Sequence, residues 1–217
     1  MSKKRKVISK IFILLFFFLL TGCNTEAQRR GRDPERVGGY CEGCEGIYEG
    51  MPKDLSWQTV IADSAELGER LEISGTIFKK DGKTRAKDII LYVYHTNAKG
   101  YYEPTKNQTG WARRHGHLRG WVKTDEKGRY AFRSIRPAPY PNGTVPAHIH
   151  CIIKEPEKNE YWIDDFFFEE DMLITERIKS RLEKRGGSGI IKLTKGENGV
   201  WAGTRNIVLG QNVPNYK

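Results

Sequence analysis

Alternation marks the middle of the chain. Leu71, Ile73, Gly75 and Ile77 are interleaved with Glu72, Ser74 and Thr76, the period of two by which a strand buries one face and wets the other. Asp81-Gly82 then supplies a turn, and the nearly continuous apolar run from Ile89 to Tyr94 predicts a strand covered on both faces. Further strands are predicted over 120–124, 129–134, 147–154, 161–168, 189–193 and 200–209, most of them separated by Gly, Pro, Asn or Asp. Many short strands punctuated in this way predict an all-β fold, a β-sandwich of mostly antiparallel strands. One short helix interrupts the pattern after 161–168: Thr175 can cap a segment in which Ile174, Ile178 and Leu182 recur every four residues, and Gly186-Gly187 ends it.

The N-terminus follows a different logic. Lys3, Lys4, Arg5, Lys6 and Lys10 precede an apolar run from Ile11 to Leu20, the order of a secretory signal. A membrane-spanning helix needs about 20 apolar residues, more than this run holds. It ends in Leu20-Thr21-Gly22-Cys23, which resembles the bacterial lipobox. That resemblance implies a signal peptide over 1–22, cleavage before Cys23 and a lipid carried on its thiol; a retained short anchor is the alternative. Either way the domain is expected outside the cytoplasm, on the cell envelope. Asn24, in place of an aspartate, favours the outer membrane under the enterobacterial sorting rule. Residues 23–56, rich in Gly, Arg and Glu and without periodicity, read as a tether leading to a single domain over 57–217.

Five of the 37 Lys and Arg and none of the 27 acidic residues lie in the first 22 positions, so removing them halves the formal charge of +10. The charge left is scattered among acids, with no arginine-rich or aromatic-interleaved run, which argues against nucleic acid as a partner. In an oxidising compartment Cys41 and Cys44 read as a small local disulfide. A zinc site would need a second pair of ligands, which the flanking sequence does not supply.

The sharpest chemical feature is Pro146-Ala147-His148-Ile149-His150. Residues i and i+2 of a strand share a face, so both imidazoles can reach one metal, although paired strand histidines also occur as ordinary polar residues. His115-Gly116-His117 has the same spacing, but its Arg113 and Arg114 neighbours make it read as an exposed loop, with substrate contact as the alternative. Four blocks then fall in order: Asn97-Ala98-Lys99-Gly100-Tyr101-Tyr102, Thr124 to Phe132 (TDEKGRYAF), Ile135 to Pro141 (IRPAPYP), and Pro146 to His150. Together they resemble the intradiol ring-cleavage dioxygenases, the family of catechol and protocatechuate dioxygenases, from about Leu71 to Phe168.

The resemblance implies one Fe(III) per chain held by Tyr102, Tyr140, His148 and His150, with water or hydroxide as a fifth ligand. It implies further that Tyr140 leaves the metal as substrate chelates and accepts a proton, which makes it the catalytic residue. The substrates would be a small catechol-type aromatic diol and O₂, with cleavage between the two hydroxylated carbons. A phenol of pKa about 10 can serve because a bound cation reverses its preference and holds it as phenolate. Tyr101 points away from Tyr102 if that segment is extended, and Tyr92, Tyr94, Tyr130 and Tyr161 read as tyrosines of the core or surface.

Departures from the family pattern cluster around the substrate. Val145 stands where the family has an arginine, Gly120-Trp121 replaces a Gly-Arg pair, and Asp165-Phe166-Phe167-Phe168 replaces Gln-Phe-Tyr-Phe. Arg113, Arg114, Arg119 and Arg136 are candidates to restore the missing cation. Two functions are therefore expected: a lipid-anchored, extracytoplasmic dioxygenase, or an iron-retaining surface lipoprotein that captures catecholates. A purely adhesive sandwich of the prealbumin-like kind is a third.

Overall fold

A computed structural model describes residues 35–217. Cys23, the lipobox and the signal run lie outside the described residues. Two sheets face one another. The first orders β1 (Gln58–Val60), β5 (Arg129–Ile135), β2 (Arg70–Phe78), β10 (Trp201–Thr204) and β9 (Leu193–Lys195), with β11 (Ile207–Val208) pairing further along β2. The second orders β4 (Arg119–Lys123), β3 (Ile90–His95), β6 (His148–Lys154), β7 (Tyr161–Phe168) and β8 (Ile190–Ile191). The central ladders are antiparallel, and β1–β5, β2–β10, β2–β11 and β7–β8 are shorter parallel pairings.

Side-chain alternation fixes what lies between the sheets. Leu71, Ile73 and Ile77 of β2 meet Leu91 and Val93 of β3, Ile149, Cys151 and Ile153 of β6, and Phe166 and Phe168 of β7 in one buried core. Because successive strand residues point to opposite faces, this inward set turns His148, His150 and Ile152 of β6, with Tyr92 and Tyr94 of β3, onto the outer face of the second sheet.

That outer face is covered, which corrects the tether reading. From Arg36 onward the segment packs on the domain: Arg36 forms a buried ion pair with Glu160, and Asn159 exchanges hydrogen bonds with the Val37 backbone. Cys41 and Cys44 form the expected disulfide, and with Ile47 they bury against Tyr92 and Ile152. Trp121 Nε1 donates to the Ile47 carbonyl at 2.7 Å. Burying Ile47 alone contributes roughly 1.5–3 kcal/mol. The segment shows no period because it is a string of turns around a 3-10 turn at Cys44–Ile47, so its few buried residues follow no strand or helix repeat.

Two helix expectations also change. The segment capped by Thr175 is helical only over Glu176–Lys179; Thr175 Oγ1 accepts from Ile178 N as a cap, but no residue of this turn is buried, and a short helix without a packed face does not propagate. A second helix, Gly110–His115, stands where an exposed loop was read. Glu49 accepts from the backbone N–H groups of Trp111 and Ala112, satisfying donors that a helix N-terminus leaves open. Its buried residues, Ala112 and His115, are three apart and bring it onto Tyr94.

Candidate metal centre

Two strand residues and two loop residues converge on the outer face of the second sheet. His148 and His150 share that face by strand parity, and their Nε2 atoms lie 3.2 Å apart. Tyr140 Oη is 3.3 Å from His148 Nε2 and 3.0 Å from Tyr102 Oη. All four residues anticipated as ligands are thus brought together. Tyr101 is turned away and 55% exposed, as its alternation with Tyr102 predicted.

Each loop is held by backbone chemistry. The Asn97 side-chain oxygen accepts from the N–H groups of Lys99 and Tyr101, which tightens the turn that delivers Tyr102. Thr96 Oγ1 donates to the Ala138 carbonyl at 2.7 Å, and Ala138 N donates to the Asn97 carbonyl at 3.2 Å. These bonds tie the Tyr102 loop to the Tyr140 loop. Gly100, at φ 84°, sits so close to the second loop that a Cβ there would lie 2.2 Å from the Pro139 carbonyl oxygen. Tyr140 then opens a turn closed by Gly143 N donating to its carbonyl at 2.8 Å.

The histidine tautomers follow from their partners. His148 Nδ1 lies 2.7 Å from the Pro146 carbonyl and His150 Nδ1 lies 3.1 Å from Asp165 Oδ1, and both oxygens can only accept. Each ring therefore carries its proton on Nδ1, and two Nε2 lone pairs face one another. Such an arrangement is unfavourable unless a cation or a shared proton stands between them, and two phenol oxygens border the same space. The donor set fits a cation.

Burial, followed by the hydrogen bond with Tyr140, pushes the Tyr102 phenol well above the ordinary tyrosine value; burial likewise raises Tyr140. Burial lowers His148 below the ordinary imidazole value.

Other residues complete the surroundings. Tyr94 stacks on His150 with ring centroids 4.5 Å apart and on His115 at 3.7 Å. His115 is therefore no exposed loop residue: it is buried, its Nδ1 is 2.9 Å from Tyr92 Oη, and burial lowers its pKa to about 3. His117 pairs with Glu66 at 2.8 Å. Tyr94 shares the parity of Tyr92 and is the cross-strand partner of His150, a signal present in the sequence only once register is known. Arg119 donates to the carbonyls of Gly46 and Glu49 and to Tyr92 Oη, Arg136 pairs with Glu69 and Glu170, and Arg114 lies over the Trp111 ring.

A two-sheet sandwich carrying this constellation defines the class: the chain belongs to the intradiol ring-cleavage dioxygenase family, and residues 49–199 match the family Dioxygenase_C, described as "Dioxygenase". Among particular proteins, it is similar to catechol 1,2-dioxygenase 1 of Acinetobacter lwoffii, at 28% identity over 187 residues, covering 67% of this chain and 58% of that protein. The protocatechuate 3,4-dioxygenase beta chain of Burkholderia cepacia matches at 30% identity over 106 residues, 46% of this chain and 44% of that one. The chain thus spans about half the length of these relatives. Among solved structures, the dioxygenase domain of a dioxygenase carbohydrate-binding protein fusion from Streptomyces sp. SirexAA-E superposes with a TM-score of 0.55 at 21% identity, covering 73% of this chain and 91% of that one. At that identity the likeness speaks for the fold.

Proposed function

We propose that this chain is an Fe(III)-dependent dioxygenase that opens a catechol-type ring between its two hydroxylated carbons with O₂. The observation that carries the reading is the convergence of Tyr102 Oη, Tyr140 Oη, His148 Nε2 and His150 Nε2 with both Nδ1 protons already committed. Bound there, Fe(III) would act as a Lewis acid toward phenolate and diolate oxygens. Tyr102, on the loop tied through Asn97, serves as the fixed anionic donor. Tyr140, whose Oη contacts both Tyr102 Oη at 3.0 Å and His148 Nε2 at 3.3 Å, would be the group that accepts a proton from the incoming diol, the role the family resemblance implies. The relatives named for catechol and protocatechuate support an aromatic diol as substrate. Oxygen consumption by the iron-loaded protein with a panel of catechols tests the reading: uptake that depends on both iron and catechol, with formation of a ring-opened dicarboxylate, is expected. A coloured, iron-replete protein that consumes no oxygen with any member of the panel would refute it.

A second reading rests on the arginines. Arg114, Arg119 and Arg136 are engaged away from the four donors, and Val145 brings no charge to the entrance of β6. A site that binds catecholates without stabilising the charge that precedes oxygen attack would act as a capture module, and it would bind catechol tightly without turnover.

The same reading places the domain outside the cytoplasm on a lipid anchor, supported by the basic and apolar run that ends at Cys23. Metabolic labelling with a palmitate analogue should mark the wild-type protein and not Cys23→Ser. Equal labelling of both would remove the anchor.

A further inference from the structure

Opposite His150, strand β7 carries one residue more than β6. Ile149 pairs with Phe166 and Cys151 pairs with Ile163, so two steps on β6 face three on β7, and Asp164 and Asp165 together oppose His150. A bulge of this kind re-aims side chains. Ile163 and Phe166 both face the core, and the extra residue between them frees Asp165 to turn toward the outer face and the His150 ring.

The bulge is held from behind. The Asp164 carboxylate accepts from Lys184 N at 2.9 Å and Arg185 N at 3.1 Å, and buried Arg205 donates to the Asp164 carbonyl at 2.6 Å. Gly189 presses on the Asp165 backbone so closely that a Cβ there would lie 2.3 Å from the Asp165 carbonyl oxygen. With its backbone fixed in this way, Asp165 places Oδ1 3.1 Å from His150 Nδ1.

His148, His150 and Asp165 also form a compact group of two imidazoles and a carboxylate that could hold a metal by themselves. The hydrogen bonds separate the roles. Asp165 lies on the Nδ1 side of His150, whereas the Nε2 atoms and both phenols meet on the other side of the ring. His148 is oriented by a neutral carbonyl, that of Pro146, and His150 by a carboxylate. The two histidines are therefore unequal donors.

We propose that Asp165 is a positioning residue of this centre: it fixes His150 as the Nδ1–H tautomer and places a negative charge behind it, making His150 the stronger of the two nitrogen donors. This rests on the iron reading above only for its consequence, not for the tautomer. Outer carboxylates that orient a ligating histidine raise its basicity, and losing one typically costs about 10–100-fold in metal affinity.

The test uses two variants and two readouts. Asp165→Asn keeps an acceptor oxygen and removes the charge; Asp165→Ala removes both. In the iron-free protein, ¹⁵N chemical shifts should show His150 as the Nδ1–H tautomer in wild type and Asp165→Asn, and as a mixture in Asp165→Ala. In the iron-loaded protein, iron affinity measured by competition with a chelator should be about 10–100-fold lower in both variants, and the phenolate-to-iron band should move to longer wavelength as the iron receives less charge. An unchanged tautomer in folded Asp165→Ala would overturn the positioning role, and wild-type iron retention in both variants would overturn the charge. A wild-type protein that holds no iron would instead defeat the iron reading, and the tautomer result would still decide the role of Asp165.

Discussion

Replacing both His148 and His150 by alanine is expected to bring iron content after loading and desalting down to background while leaving the sandwich folded. The two rings supply the nitrogen donors of the site, and with both gone only the Tyr102 and Tyr140 phenols remain of the four converging donors. The fold should survive because neither side chain belongs to the core between the sheets, where Ile149, Cys151 and Ile153 of the same strand do the packing. Metal analysis checks the first statement and near-ultraviolet circular dichroism the second. Tyr140→Phe is the informative companion, since three donors remain: it should retain iron but lose or shift the visible phenolate band. Full iron occupancy in the double histidine variant would place the metal elsewhere.

A second large effect is expected from one methyl group. Gly100→Ala puts a Cβ 2.2 Å from the Pro139 carbonyl oxygen, at a φ of 84° that L-residues avoid. The left-handed backbone costs about 1–2 kcal/mol, and relief of the overlap about 1–3 kcal/mol more. For a domain of this size that corresponds to a fall in Tm of roughly 5–15 °C. The overlap is relieved only if the Tyr102 and Tyr140 loops part, so the phenolate band and iron retention should fall with the Tm. Gly143→Ala is the control: its φ of 65° carries the same backbone strain, but nothing lies within 4 Å of the added Cβ. It should lose stability modestly and keep its colour. If Gly100→Ala merely matches Gly143→Ala in both measurements, the close approach of the loops does not hold the phenols together.

The two variants also show where the sequence stops being informative. The strands predicted over 189–193 and 200–209 each divide into two short ones, and β1 left no trace. Period-two alternation, apolar runs and turn residues were enough to locate the six longest strands, β2 to β7, and the sandwich, because burying one face of a strand leaves a local, repeating trace. The HxH pair was legible for the same reason: strand parity puts residues 148 and 150 on one face whatever the tertiary structure. Tyr102 and Tyr140 were legible only by likeness to known motifs, since no local rule brings residues 38 apart within hydrogen-bonding distance.

What escaped depends on contacts between distant segments. Residues 36–49 look like a tether because their burial comes from turns laid on the outer face of the second sheet, and a turn has no period. The helix at Gly110–His115 is too short to show a repeat and depends on Glu49 for its N-terminal hydrogen bonds. The role of Asp165 depends on a bulge, a one-residue change of register that is invisible until β6 and β7 are paired. The sequence by itself determined the six longest strands, their faces and the histidine pair, because these follow from the alternation of side chains along an extended backbone. Tertiary structure alone decided which loops meet over that face, what covers it and which carboxylate stands behind His150, because each of these is a contact between segments far apart in the chain.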